Sequence, residues 1–211
     1  MPAHICGVVK RSAFIVPSQP VLRKQPPSGP QWIHELKFDG WRAQLHKASD
    51  DVTIFTRKGN DYTQRFPAIG PRILGLPANS AIIDAEIVVG DRNGKRDSKA
   101  LMENVTGTMC GWCFDLLELN GQELRSLPLV ERRVYLRHIL AKADDDALRY
   151  SEEFPDPVKL LAAVGKAGLE GIVSKLTYQP YRSGKNPGWI KVKTANWKAA
   201  NRDRWEMFER K

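Results

Sequence analysis

Residues 35–42 of the chain read ELKFDGWR, and the prediction of both fold and chemistry starts from them. An apolar strand leads into Lys37, the dipeptide Asp39-Gly40 is typical of a tight turn, and a second strand follows. The turn lets the Lys37 amine project into a cleft, and the second strand carries Arg42 back toward it. A lysine amine is a nucleophile only when it is neutral, which requires neighbouring cations or burial. Taken alone, the stretch more often marks a hairpin with a surface lysine.

The length and composition of the chain limit the class of protein. The 211 residues are 42% hydrophobic and 27% charged, which is room for one large domain or two small ones with an apolar core. No stretch approaches the roughly 20 apolar residues of a membrane span, and the first residues lack a secretory pattern. Three cysteines are too few for a disulfide scaffold, so we expect a reducing, cytoplasmic compartment. We interpret Cys110 and Cys113 as buried strand residues rather than zinc ligands.

The net charge of +9 lies at the two ends of the chain. Residues 1–30 carry four basic and no acidic side chains, and residues 182–211 carry nine basic and three acidic ones. The region between them is close to neutral. Clustered positive charge indicates a polyanionic partner, but it is equally compatible with solvated ends that keep the chain in solution.

Short apolar runs separated by turns predict more strands than helices. Regular helical crossovers do not separate these runs, so we expect an α+β fold of antiparallel β-sheets flanked by helices. Strands are predicted at residues 32–36, 41–47, 52–56, 81–89, 111–119, 148–152, 171–175 and 189–193.

Two helices and one extended segment complete the prediction. A helix at residues 129–141 would place Val130, Val134 and residues 136–140 on its apolar side, with Arg132, Arg133 and Arg137 among them. A second helix at residues 157–167 would have Asp156 as its N-cap, with proline in its first turn. Five prolines between residues 17 and 30 indicate an extended arm, so the folded body is predicted to begin near Gln31.

The pattern Lys-x-Asp-Gly-x-Arg at residues 37–42 resembles the first nucleotidyltransferase motif of the ATP-dependent DNA ligase and mRNA-capping superfamily. Five later stretches resemble the other motifs of that family, in the same order. They are Thr56-Arg57-Lys58-Gly59, Asp84-Ala85-Glu86, Phe114-Asp115-Leu116-Leu117, Glu170-Gly171-Ile172-Val173 and Trp189-Ile190-Lys191-Val192-Lys193. Six short motifs in one order are far more specific than any one of them. The resemblance is greatest to bacterial ligases of the end-joining type.

The resemblance implies a nucleotide cleft between the sheets and a role for each motif. Lys37 would form lysyl-AMP from ATP, and Phe114 would stack on adenine. Glu35 would select the edge of the base, and Glu170 would bind Mg²⁺ or Mn²⁺. The other implied nucleotide-binding residues are Arg42, Arg57 and Glu86 at the ribose and adjoining phosphate, and Lys191 and Lys193 at the α-phosphate. Taken singly, each of these residues is also compatible with an ordinary core or surface position.

The resemblance also suggests a division of the chain. We expect a proline-rich basic arm at residues 1–30, the adenylation (nucleotidyltransferase) domain at residues 31–194, and a basic amphipathic tail at residues 195–211. Trp197, Trp205 and Phe208 are the candidate docking residues of the tail. Two departures from the family are Ala85 in place of the usual glycine and no oligonucleotide-binding (OB) domain after the adenylation domain. We therefore expect either a catalytic-core fragment or a naturally minimal nucleotidyltransferase.

The implied activity is that of an ATP-dependent DNA ligase that passes AMP from Lys37 to a DNA 5′-phosphate in repair or end joining. The implied partners are nicked or broken double-stranded DNA and a DNA-clamping protein. We expect a monomer in the bacterial cytoplasm that associates with the nucleoid when it is bound to DNA. Two alternatives stay open: a non-catalytic DNA-end or partner-binding module, and an RNA-directed capping-type nucleotidyltransferase. Residues 61–67 resemble DNA ligases more than capping enzymes.

Overall fold

The computed structural model describes residues 13–89, 109–143, 146–195 and 197. The strands within these ranges are β1 (Ser18–Leu22), β2 (Trp32–Lys37), β3 (Trp41–Ala48), β4 (Asp51–Thr56), β5 (Ser80–Val89), β6 (Met109–Leu119), β7 (Gln122–Glu123), β8 (Leu148–Tyr150), β9 (Glu153–Phe154), β10 (Gly171–Leu176) and β11 (Gly184–Lys193). The helices are α1 (Gly70–Leu74), α2 (Leu129–Ala143) and α3 (Pro157–Lys166), with a 3-10 turn at Thr63–Arg65.

The strands form two sheets that face each other across the cleft described below. Sheet A has the strand order β1-β11-β10-β2-β9, and sheet B has the order β4-β3-β5-β6-β7, with β8 paired to β6. Most neighbouring strands are antiparallel, while β1 with β11 and β6 with β8 are parallel pairs. The predicted α+β fold of mainly antiparallel sheets is therefore confirmed.

The proline-rich segment contains a strand that the sequence prediction missed. β1 runs parallel to β11, and Ser18 lies opposite Gly184. Pro20 is tolerated because β1 is an edge strand, and the register of the pair shifts between Pro20 and Val21. The prediction that regular structure begins near Gln31 is therefore wrong. The beginning of the arm lies outside the described residues.

The strand predicted at residues 148–152 ends at Tyr150, and a separate strand in the other sheet begins at Glu153. Leu148–Tyr150 (β8) joins sheet B, whereas Glu153–Phe154 (β9) joins sheet A. Ser151 lies at the crossing, where its backbone N–H donates to the carbonyl oxygen of Cys113 at 2.8 Å. The chain therefore links the sheets at this point.

Helix α2 buries two arginines rather than the valines predicted for its apolar side. Val130 and Val134 are 50% and 65% exposed, whereas Arg132 and Arg133 are 0% and 2% exposed. Arg132 forms a bidentate ion pair with Asp115, at 2.7 and 2.8 Å. A charge is tolerated in a core only when it is paired, and the partners lie far away in sequence. The prediction is therefore wrong for Val130 and Val134, whereas Leu136, Ile139 and Leu140 are buried as predicted.

Helix α3 begins where the sequence predicts. The Asp156 carboxylate accepts hydrogen bonds from the backbone N–H groups of Val158 and Lys159, and Pro157 occupies the first helical position. The cluster beneath this helix contains Leu160, Val164, Ile172 and Val192. A second cluster joins the sheets and contains Ile82, Phe114, Leu117, Tyr181 and Trp189. The largest cluster packs α1 and α2 against sheet B.

In the part of the chain that the structure describes, no helix combines the length and the apolar character needed to cross a membrane.

Candidate active site

Two cavities lie where sheets A and B meet, and they share part of their walls. The larger one, here called the basic cleft, has a volume of about 940 Å³, and the smaller one, the inner pocket, has about 70 Å³. Residues that line both are Pro20, Lys37, Arg42 and Glu86. The basic cleft is further lined by Asp39, Arg57, Glu170, Lys191, Lys193 and Trp197. The inner pocket is further lined by Glu35, Phe38, Phe114, Val173, Lys175 and Trp189.

The register of sheet A places one carboxylate between two lysines. Gly171, at the start of β10, lies opposite Lys37 on β2 and opposite Lys193 on β11. Glu170 precedes it and reaches both: Oε2 lies 2.8 Å from Lys37 Nζ, and Oε1 lies 2.9 Å from Lys193 Nζ. A Cβ atom at Gly171 would collide with the carbonyl oxygen of Val192, so the close approach of these strands requires glycine.

The basic cleft holds more cations than carboxylates. Lys191 and Lys193 occupy alternate positions on β11, so both project into the cleft. Burial lowers the pKa of Lys191, and the charges of Lys37 and Lys193 lower it further. Arg57 adds an exposed guanidinium to the lining. Such a surplus of positive charge suits a ligand with several negative charges.

Glu86 fixes the turn that follows Lys37. Its Oε1 accepts a hydrogen bond from the backbone N–H of Gly40 at 3.1 Å. Burial raises the pKa of Glu86, and the nearby charges of Lys37 and Arg42 oppose that rise. Gly40 has no space for a side chain, because a Cβ atom would collide with the carbonyl oxygen of Ile87. The turn is thereby held against sheet B, and the position of Lys37 with it.

Arg42 belongs to a buried hydrogen-bond network. Its guanidinium donates to both carboxylate oxygens of Asp84, at 2.5 and 2.7 Å, and lies 4.4 Å from the centre of the Phe114 ring. Tyr181 donates its hydroxyl to Asp84 at 2.6 Å and accepts the backbone N–H of Ser18 at 2.8 Å. Burial raises the pKa of Tyr181, and the Asp84 charge raises it further. The network connects β1 of sheet A to the strands of sheet B that carry Arg42 and Asp84.

Glu35 sits in an ion network in the wall of the inner pocket. It is 2% exposed, and its Oε1 lies 2.8 Å from both Arg133 Nη1 and Lys175 Nζ. Ser151 donates its hydroxyl to Oε2 at 2.8 Å. Burial lowers the pKa of Lys175 to about 8, although the Glu35 charge opposes this change. The carboxylate is therefore held in place before any ligand binds.

Two aromatic rings enclose the Lys175 amine. Its Nζ lies 4.3 Å from the centre of the Phe114 ring and 4.4 Å from the centre of a Trp189 ring. Phe114 is only 7% exposed and belongs to the cluster between the sheets, yet it also lines the inner pocket. A flat apolar wall with ionic groups at its edge can hold a planar base and hydrogen-bond to it.

All nine residues predicted for the site line one of these cavities. The prediction missed Lys175, the pairing of Asp84 with Tyr181, and the contribution of β1. The sequence does contain a signal for Lys175: it lies two residues after Val173, the last residue of a predicted motif, and so on the same face of β10. The other two depend on contacts between distant segments and leave no local signal.

The carboxylates fit a divalent cation that arrives with a nucleotide. Within the described ranges, no group of three or more His, Cys, Asp or Glu side chains is placed to hold a metal ion. Magnesium is commonly bound by one or two carboxylates together with substrate phosphates. Glu170 presents its carboxylate in the cleft, close enough to Glu86 for the two charges to interact. The donor set is suited to a shared protein–phosphate site rather than to a protein cage.

Known sequences resemble this chain over most of its length. Residues 18–193 match the model of the ATP-dependent DNA ligase domain family. The chain is 37% identical over 196 residues to the multifunctional non-homologous end joining protein LigD of Pseudomonas aeruginosa, covering 89% of this chain and 23% of that protein. It is 33% identical over 178 residues to a probable DNA ligase of Beutenbergia cavernae, covering 75% of this chain and 33% of that protein. The chain thus spans between 23% and 33% of the length of these relatives.

Solved structures share the fold. The ligase domain of M. tuberculosis LigD has a TM-score of 0.73 at 26% identity, covering 85% of this chain and 59% of that one. A mycobacterial DNA ligase D complexed with ATP and MES gives the same TM-score and identity, covering 85% and 60%. The bacteriophage T7 ligase complexed with ATP, at 15% identity and a TM-score of 0.57, covers 84% and 68% and shows likeness of fold alone.

Proposed function

The chain belongs to the ATP-dependent DNA ligase family, and on that basis we propose that Lys37 is the nucleophile that takes AMP from ATP. Its amine attacks the α-phosphorus, a P–N bond forms, and the bond from the α-phosphorus to the bridging oxygen breaks. Pyrophosphate leaves with the electron pair of that bond. The two protons that the lysine ammonium loses pass to solvent.

The position of Lys37 in the wall shared by the two cavities is the observation that carries this proposal. A nucleoside triphosphate is planar at its base and strongly charged at its phosphates. With the base in the inner pocket and the phosphates in the basic cleft, the α-phosphate lies between them, beside Lys37. Placing two reacting groups in this way is worth up to about 7–11 kcal/mol.

The inner pocket supplies the contacts for the nucleoside. Phe114 offers a ring face to the adenine, and stacking of this kind contributes about 1–3 kcal/mol. Glu35 presents a fixed carboxylate to the edge of the base, because Arg133 and Lys175 hold it. The residues proposed for the ribose and the adjoining phosphate are Arg42, Arg57 and Glu86.

The basic cleft supplies the contacts for the phosphates. Lys191 and Lys193 neutralise the charge on the α-phosphate, which stabilises the transition state as the pyrophosphate bond breaks. Glu170 is the residue proposed to hold Mg²⁺ or Mn²⁺. When bound, such an ion screens the phosphate charge and orients the leaving group.

The substrate that we propose for the second step is nicked or broken double-stranded DNA. AMP passes from Lys37 to the 5′-phosphate, and the 3′-hydroxyl then displaces it. The basic residues at 1–30 and 182–211 bind the DNA backbone electrostatically, so binding falls steeply with salt. Phosphate contacts do not fix the register of a nick, so we propose that a DNA-clamping partner protein adds this positioning. In this proposal the chain acts as a monomer in the bacterial cytoplasm and associates with the nucleoid when it binds DNA.

Incubation with Mg²⁺ and α-labelled ATP or, in a parallel reaction, α-labelled GTP, followed by denaturing electrophoresis, tests the first step. We expect covalent label on the parent chain and on a Lys166→Ala control, whose lysine is exposed at the end of α3. Lys37→Ala should carry no label while keeping the parent's melting temperature. Label from GTP alone would point to a capping-type enzyme, and no label from either nucleotide would favour a non-catalytic binding module.

A further inference from the structure

Trp197 connects two parts of the site that lie far apart in sequence. Its indole N–H donates to Asp39 Oδ2 at 3.2 Å, two residues after the nucleophile Lys37. Its ring faces Lys193, whose Nζ lies 3.9 Å from the ring centre. Lys193 in turn contacts Glu170 at 2.9 Å. One side chain outside the motifs therefore touches both the turn after the nucleophile and the cationic strand β11.

The backbone anchors Trp197 at the wall of the basic cleft. Its N–H donates to Thr194 Oγ1 at 3.3 Å, and the Thr194 hydroxyl donates to the carbonyl oxygen of Leu169 at 2.9 Å. The Thr194 N–H also donates to the carbonyl oxygen of Glu170 at 2.9 Å. These bonds attach the segment after β11 to the start of β10. The backbone of Trp197 is therefore held in place, and its half-buried side chain lines the basic cleft.

We propose that Trp197 is a positioning residue of the adenylation site that acts through Asp39 and Lys193. The inference rests on the proposed function of Lys37. A cation over an indole face is attracted to it, so the ring restricts where the Lys193 amine lies in the basic cleft, and Lys193 is a cation proposed to neutralise the α-phosphate. The indole N–H holds Asp39 in one orientation, and with it the turn that carries Lys37.

This arrangement predicts an effect on rate rather than on ATP binding. Trp197 lines the basic cleft but not the inner pocket, so it does not contribute to the wall that receives the base. Removing a contact that is made only in the transition state lowers the maximal rate, whereas removing a contact that binds substrate and transition state equally raises the KM. The two contacts of Trp197 are separable, because phenylalanine keeps a ring for Lys193 and lacks the N–H for Asp39.

The experiment measures the rate of self-adenylation against ATP concentration for the parent, Trp197→Phe and Trp197→Ala. Tyr135→Phe serves as the aromatic control, since Tyr135 is exposed on α2, away from both cavities. We expect the maximal rate to fall about tenfold in Trp197→Ala and about threefold in Trp197→Phe, with a KM for ATP within about twofold of the parent. The partial rescue by phenylalanine reports the contact with Lys193.

Two results would overturn the inference. One is an unchanged maximal rate in both Trp197 variants, and the other is a rise in KM at constant maximal rate. Should Trp197→Ala fail to fold, Trp197→Phe decides alone, because it replaces a ring by a ring; its melting temperature is measured alongside. An unlabelled parent chain would instead refute the proposed function, so the two failures are distinguishable.

Discussion

The two cavities contain similar ion pairs in different surroundings. In the inner pocket, Glu35 is paired with Arg133 and Lys175, and all three side chains are almost fully buried. In the basic cleft, Glu170 is paired with two lysines whose side chains are 22% and 12% exposed. Both carboxylates are buried, but the cations that hold Glu35 are buried with it, whereas the lysines that hold Glu170 reach the cleft and can turn to a ligand.

In the proposed function, this difference separates recognition of the base from the reaction at the phosphates. Buried ion pairs are costly to desolvate, and losing one partner leaves an uncompensated charge in the core, so Glu35 and its cations stay together in the wall proposed to receive the base. Cations beside open solvent contribute little to folding, but they are available to a charged ligand. We therefore expect the inner pocket to govern the stability of the fold and the basic cleft to govern the rate of adenylation.

The largest expected effect comes from replacing one cationic partner of each carboxylate by methionine: Arg133 beside Glu35, and Lys193 beside Glu170. Arg133→Met should lower the free energy of unfolding by about 3–5 kcal/mol, because the buried Glu35 carboxylate then loses one of its positively charged partners. It also leaves the carbonyl oxygens of Phe114 and Ser151 without their arginine donor. Lys193→Met should cost less stability than Arg133→Met, because Lys37 still pairs with Glu170, and it should slow adenylation. Urea unfolding measures both, and equal losses would show that burial does not distinguish the two cavities.

The pKa of Lys175 allows a test by pH. Burial lowers this pKa from 10.5 to about 8 in the folded chain. Between these values the unfolded chain binds more protons, so the contribution of Lys175 to stability rises as the pH increases through that interval. The shift corresponds to at most about 3 kcal/mol.

We expect the parent to gain stability relative to Lys175→Met as the pH rises from about 8 to 10. Chemical unfolding at a series of pH values measures this difference. A difference that does not change with pH would contradict the buried position assigned to this amine.

A smaller effect is expected from the network that connects β1 to sheet B. Tyr181→Phe keeps the ring but removes the hydroxyl between Asp84 and the Ser18 N–H, so we expect a loss of about 1–2 kcal/mol. The matched control is Tyr178→Phe, at a tyrosine that is 61% exposed, which should stay within about 0.5 kcal/mol of the parent. Thermal unfolding compares the two, and indistinguishable variants would show that this network does not hold β1.

Features with local signals could be predicted from the sequence. The turn after Lys37, the N-cap at Asp156 and the alternation of Lys191 with Lys193 each depend on a few adjacent residues. The resemblance to the family motifs then identified residues that the fold brings together, because each motif lies on or beside a strand of the two sheets. The roles proposed for these residues stay predictions.

Features that depend on distant partners could not be predicted. Arg132 and Arg133 look like surface residues until Asp115 and Glu35 are seen beside them. β1 has a composition typical of a linker, and it becomes a strand only because β11 provides an edge that accepts a proline-containing partner. Pairing between distant segments decided both cases, and hydropathy does not encode it.

Mass spectrometry of the protease-digested chain after incubation with ATP and Mg²⁺ decides whether Lys37 is the nucleophile, since it locates the covalent adduct. We expect a single adenylyl group on the Lys37 side chain, attached through the amine nitrogen and absent from the other lysines of the cleft. An adenylyl group on Lys191 or Lys193, or a chain that carries none after it has consumed ATP, would contradict the assignment of Lys37 as the nucleophile between the two cavities.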